Sequence, residues 1–275
     1  LGRHPEVAMP GYEVPYLDDR FYENGGVSRL RKVMRELPDE KRKGIKWPRG
    51  ILNRVHLERL NELNPGMRLL LCFRDPVECL FSNYYHLVSL ARLPLRDINE
   101  GLPPILDRAD DPGLPRPARR MLQLSNYGSM LEQTMQVFPE QQVFAAGYGE
   151  LRSRPLERVR ASCAFIGVST EAVDEAMVHT ESNRSVYSHS SLRMMAACSR
   201  ASYALRDAGA PYALRNHFTH LFMGSIKRYD ARFPRAPKPV LDASLRERLV
   251  EYYDPEIRKL EALTGWDCSE WRRLS

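Results

Sequence analysis

Two short stretches hold residues whose types and spacing could do chemistry. The first is Cys72-Phe-Arg-Asp-Pro-Val77. Asp75 is a good helix N-cap and Pro76 suits the first helical position, so Arg74 stands at the mouth of a helix. Unpaired N–H groups and the positive dipole end gather there. A cation beside them makes a site for an anion, most often a phosphate. The plainer alternative is that Arg74 pairs with a nearby carboxylate, and local pattern leaves both open. The second stretch is Tyr12-Glu-Val-Pro-Tyr-Leu-Asp18, where Glu13 is a lone carboxylate among apolar neighbours. Buried, it would have a raised pKa and serve as a base near neutral pH. At a strand end on the surface it would be an ordinary solvated glutamate.

The elements that must position these residues follow from hydrophobic spacing. The apolar run Leu69 to Phe73 predicts a strand buried on both faces. Leu80, Phe81, Tyr84, Leu87 and Val88 then recur at helical spacing, so Arg74 sits between strand and helix. Val27, Leu30, Val33, Met34 and Leu37 predict a helix closed by Pro38. A second helix is expected over 51–63, with Leu52, Val55, Leu60 and Leu63 inward, before the turn Asn64-Pro65-Gly66. Residues 91–120 are rich in Pro, Asp, Arg and Gly and read as a long loop. Loops of that length in compact domains are functional or disordered. Beyond it come a helix from Leu122 to Phe138, a strand over 142–148 and a helix from Pro155 to Ile166. Residues 190–222 read as helical, and a helix pair broken at Asp254-Pro255 runs from Val240 to Leu263.

Composition narrows the class. The 275 residues suffice for one large domain or two small ones. Apolar content of 43% and charged content of 28% are those of an ordinary globular chain, and no apolar run approaches a membrane span. A net charge of +6 favours anionic ligands: nucleotide, sulfated sugar, nucleic acid or an acidic surface. The five cysteines are odd in number and irregularly spaced, which suggests a reducing compartment rather than a disulfide framework. Cys72 and Cys163 lie in apolar runs and are expected in the core. No CxxC or HxxxH spacing points to zinc, and no motif with interleaved aromatics points to nucleic acid.

The run Arg74-Asp-Pro-x-Glu-x-x-x-Ser82-x-Tyr84, after an apolar strand, resembles the 3′-phosphate-binding segment of sulfotransferases, which use 3′-phosphoadenosine-5′-phosphosulfate (PAPS). The resemblance places Arg74 and Ser82 on the 3′-phosphate; the family's usual arginine at position 79 is a cysteine here. Residues 12–18 are similar to the heparan sulfate glucosaminyl 3-O-sulfotransferase type. There Glu13 matches the proposed general base and Asp18 a family aspartate, with Tyr16 and Asp18 expected at the acceptor; the family histidine is Pro15. Ile45-Lys-Trp-Pro48 resembles the Glu-Lys-x-Pro element, which makes Lys46 a second active-site lysine. Lys227, Arg228 and Arg235 fall roughly where the family has a basic loop over the nucleotide. By the same resemblance residues 91–120 lie over the acceptor site, with Arg92, Arg96, Arg116, Arg119 and Arg120 available to an anionic acceptor. The ordered series Tyr127, Phe138-Pro139, strand, Glu150-Leu151, Pro155 and Phe165-Ile-Gly167 is again sulfotransferase-like.

The resemblance implies a three-layer α/β fold with a parallel central sheet flanked by helices, of P-loop nucleotide-binding type, over a single domain 1–275. The family's first strand and glycine-rich phosphate loop would precede Leu1. It implies sulfonate transfer from PAPS to a hydroxyl or amine of a glycan or small molecule, without a metal, leaving 3′-phosphoadenosine-5′-phosphate. The alternative is an inactive nucleotide- or sulfated-glycan-binding protein on the same fold. A cytoplasmic enzyme is expected, or a Golgi-lumenal domain cut from an anchor.

Overall fold

The structure is a computed structural model and describes residues 1–178, 186–210, 221–226, 228–229 and 236–273. The chain divides into two compact units. The first comprises Leu1–Arg74, Asn126–Ser182 and Glu256–Asp267; the second comprises Asp75–Ser125, Asn183–Pro255 and Cys268–Ser275.

The first unit is α/β with parallel pairing throughout. Strand β1 (Val7–Ala8) pairs with β2 (Arg42–Lys43), and β3 (Leu69–Phe73) pairs with β4 (Val143–Gly147) in the register Leu69↔Val143 to Phe73↔Gly147. Its helices are α1 (Asp19–Tyr22), α2 (Gly26–Glu36), α3 (Arg54–Leu63), α8 (Tyr127–Val137), α9 (Tyr148–Ser153), α10 (Pro155–Ile166) and α11 (Glu175–Val178). The continuous apolar run of β3 is not buried on both faces. Leu69, Leu71 and Phe73 are buried, whereas Leu70 is half-buried and Cys72 exposed, as a period of two requires when one face is covered. Cys163 is buried on α10 as expected, and all five cysteines are free thiols. Phe73 packs on Tyr127 and Trp266 with ring centroids 4.9 and 6.4 Å away.

Helix α3 starts at Arg54 because the Asn53 side chain accepts the N–H of Val55 and caps it. That phase leaves Val55 on the solvent side, while His56, Leu57 and Leu60 are buried. Helix α8 begins at Tyr127 rather than Leu122. The Glu256 carboxylate takes the N–H and hydroxyl of Ser129 in its first turn, at 2.7 and 2.6 Å.

The second unit is helical: α4 (Pro76–Ser89), α5 (Ile98–Gly101), α6 (Pro103–Leu106), α7 (Arg116–Gln123) and α12 (His189–Asp207). Its core holds Val77, Leu80, Phe81, Tyr84, Val88, Ile98, Leu102 and Met121. The stretch 91–120 is thus largely built of short helices rather than a structureless loop. Helix α4 ends in a Schellman motif: Ala91 N–H donates to Val88 and Arg92 N–H to Leu87, at 2.9 and 2.8 Å. Ala91 fills the left-handed position at φ 53°, where glycine is usual. The last long helix, α13 (Ala243–Thr264), carries Pro255 inside it, so the break expected at Asp254-Pro255 is absent. The division between units falls directly after that proline.

Candidate active site

The segment around Glu13 is fastened to the segment around Lys46. Glu13 and Lys46 form a parallel β-bridge, and Val14 N–H donates to the Lys46 carbonyl at 2.9 Å. Alternation along this extended stretch puts Val14 inside, which turns Glu13 outward. Glu13 is therefore not buried. Its Oε1 lies 3.5 Å from Lys46 Nζ, with the side chains 54% and 61% exposed. The two residues that the resemblance assigns to catalysis are brought together, as an open acid–cation pair.

The supports behind this pair are polar and partly buried. Asp18 accepts from Trp47 Nε1 through Oδ1 at 2.9 Å and pairs with Arg49 through Oδ2 at 3.1 Å. It ties 12–18 to 46–49, so both of its oxygens are engaged internally. Arg59 of α3 donates to the Leu17 carbonyl at 2.7 Å and to Asp19 at 2.8 Å, and its guanidinium lies 3.9 Å over the Tyr22 ring. Tyr16 is half-buried and meets Phe21 edge-on; burial, then Tyr12, pushes its phenol upward in pKa. His56 stacks beside Trp47 at 5.0 Å, is 5% exposed, and has no hydrogen-bond partner on either ring nitrogen among the described residues. Burial holds its imidazole below the usual pKa, against Asp18 and Asp19, which pull the other way. Sequence reading missed His56 and Arg59. Their only signal was a polar residue on the inward stripe of α3.

The Arg74–Pro76 junction corrects one expectation. Asp75 caps α4 itself: its Oδ1 accepts Val77 N–H at 2.8 Å and Glu78 N–H at 3.2 Å, with Arg246 3.9 Å away. Burial raises the Asp75 pKa, against these two N–H groups and Arg246, which lower it. The helix N-terminus is thus occupied by its own carboxylate and offers those N–H groups to no external phosphate. An anion there must be held by side chains. Arg74 and Ser82 are both half-buried. On α4, Lys238 Nζ pairs with Glu78 at 2.5 Å and sits 4.6 Å from the Phe81 ring centroid. Glu78, Phe81 and Ser82 share one helical face, so Lys238 is a cation on the Ser82 face that spacing alone did not reveal. Of the residues expected in a basic loop, Arg228 is exposed, while Lys227 and Arg235 lie outside the described residues.

Residues 26–260 match the sulfotransferase domain, and the chain belongs to that family. It is a transferase of the sulfotransferase type, on the α/β fold with parallel sheets expected of it. Among solved structures it is similar to the sulfotransferase from Alicyclobacillus acidocaldarius, with 19% identity and a TM-score of 0.64, over 99% of this chain and 91% of that one. No curated protein sequence matches the chain significantly. Among the described residues no helix is long and apolar enough to cross a membrane, and no group of three or more His, Cys, Asp or Glu could hold a metal ion.

Proposed function

We propose that the protein transfers the sulfonate of PAPS to a hydroxyl, or an amine, of a carbohydrate or small molecule, with Glu13 as base and Lys46 beside the transferring group. The observation that carries this is the Glu13–Lys46 pair. An exposed ion pair at 3.5 Å contributes at most about 1 kcal/mol to stability. Two segments braced by Asp18, Trp47 and Arg59 nevertheless hold it in place. An accessible carboxylate next to an accessible ammonium suits in-line group transfer. The carboxylate takes the acceptor proton, and the ammonium offsets charge on the sulfonate oxygens and the leaving phosphate. Glu13 resembles the glutamate of the heparan sulfate 3-O type, while Pro15 stands in the place of that type's histidine, so a heparan acceptor is not part of this reading. Arg74 and Ser82 supply the guanidinium and hydroxyl donors that fit a nucleotide 3′-phosphate; Arg228 and Lys238 are further cations for the nucleotide, and Tyr16 and Asp18 shape the acceptor side. PAPS, when bound, supplies the sulfonate and its leaving group. The domain 1–275 is taken as the catalytic unit.

Calorimetric titration of the full-length protein with 3′-phosphoadenosine-5′-phosphate, with AMP as control, tests the nucleotide reading. Tight binding that AMP does not reproduce is expected. Equal affinity for both, or none, in folded protein refutes it.

A further inference from the structure

The second unit contains a cavity outside the roles given to Glu13, Lys46, Arg74 and Ser82. It measures ≈ 260 Å³, below the several hundred Å³ of drug-sized pockets.

 A larger hollow in the first unit, ≈ 510 Å³, is lined by Glu6, Glu40, Lys41, Arg42 and Lys43. The cavity of interest is the smaller one, sized for one or two fused rings or a short acyl chain.

Its floor is apolar: Leu93, Pro94, Ile105, Leu114 and Ala118. Its charged lining residues are Arg92, Arg96 and Arg108, and no carboxylate lines it. Two of these cations are committed. Arg92 donates to the Tyr203 hydroxyl at 2.9 Å, and Arg108 pairs with Asp111 at 2.6 Å. Arg96 makes no side-chain hydrogen bond or ion pair among the described residues. Its backbone is pinned, since the buried Tyr84 hydroxyl donates to the Arg96 carbonyl at 3.2 Å. Gly101 closes in on the same hydroxyl, where a Cβ would come within 1.9 Å. Arg119 donates to the carbonyls of Pro112 and of the lining residue Leu114 at 2.7 and 3.0 Å. A braced apolar cavity thus opens beside an uncommitted guanidinium.

The geometry points to a binding site for a small organic anion, its apolar body in the cavity and its acid head on Arg96. The guanidinium fork matches the paired oxygens of a carboxylate or sulfonate. The site lies wholly in the second unit and does not depend on the transferase reading.

The test is calorimetric titration of the full chain with 2-naphthoate, 2-naphthalenesulfonate and the neutral 2-naphthalenemethanol. Either anion should bind one-to-one, with a dissociation constant in the micromolar-to-millimolar range. The neutral analogue and the Arg96→Gln variant should each bind about five- to tenfold more weakly. Arg96 is exposed, so the variant should fold, and unchanged melting checks this. Saturation by neither anion, equal affinity for the neutral analogue, or an unaltered Arg96→Gln isotherm overturns the proposal. Comparing the two anions distinguishes a carboxylate from a sulfonate head.

Discussion

Gly26 offers the sharpest test of how the Glu13 segment is held. A Cβ built on it would lie 2.0 Å from the Tyr16 carbonyl oxygen and 2.8 Å from that of Phe21. Both obstacles are backbone, so no side-chain rotation relieves them. The first contact is more than an ångström short of ordinary van der Waals separation. Gly26→Ala must therefore push residues 16–21 away from α2, and Glu13 sits three residues upstream. Overpacking of this kind costs about 1–3 kcal/mol or more, against roughly 1 kcal/mol gained from alanine's helix propensity. We expect a net loss of about 2 kcal/mol, or a melting temperature lower by roughly 4–8 °C for a chain of this size. Turnover should fall with it, because the Glu13–Lys46 spacing depends on the displaced segment. Thermal denaturation of wild type, Gly26→Ala and Gly149→Ala checks this; at Gly149 a Cβ meets nothing within 4 Å, so that variant is the control. A Gly26→Ala protein melting within about 1 °C of the control would refute the reasoning.

Other outcomes follow from the same geometry. His56 has a folded-state pKa below its ordinary 6.5, so the unfolded chain binds more protons there. Its contribution is complete above about pH 6.5 and is lost as pH falls below it; melting curves from pH 7.5 to 5.5 should show a drop that His56→Gln reduces. Glu13→Gln should lower turnover at least about a hundredfold while nucleotide affinity changes little; single-turnover kinetics beside calorimetry separates the two, and near-wild-type turnover removes Glu13 as base. Asp18→Ala leaves the Trp47 indole N–H and Arg49 without this acceptor, and denaturant titration should show a loss of about 1–3 kcal/mol. Ala91→Gly should stabilise by up to about 1 kcal/mol, since relief of the left-handed strain exceeds glycine's entropic cost, and a rise in melting temperature checks it.

Local patterns in the sequence were enough for much of this protein. The period of β3 and α4 and the Asp75-Pro76 cap specify strand, turn and helix, because capping and hydrophobic spacing act over a few residues. The ordered motifs from Arg74 to Phe165-Ile-Gly167 carry the family. The family resemblance brought Glu13 and Lys46 under consideration, but 33 positions apart in the chain their meeting is a β-bridge, which only tertiary pairing creates. Burial was less legible. Whether the second face of β3 is covered, and whether Glu13 turns in or out, depends on neighbours from distant segments. Cys72 and Glu13 both proved exposed for that reason. His56, Arg59 and Lys238 were hidden because a buried or cross-chain polar contact leaves no periodic trace. The 91–120 stretch looked structureless since its helices are short and proline-rich, and their stability comes from packing rather than propensity. The sequence thus determines the elements and the kinds of group at the site. The tertiary structure decides which of those groups face one another, because long-range packing sets the depth and direction of each side chain.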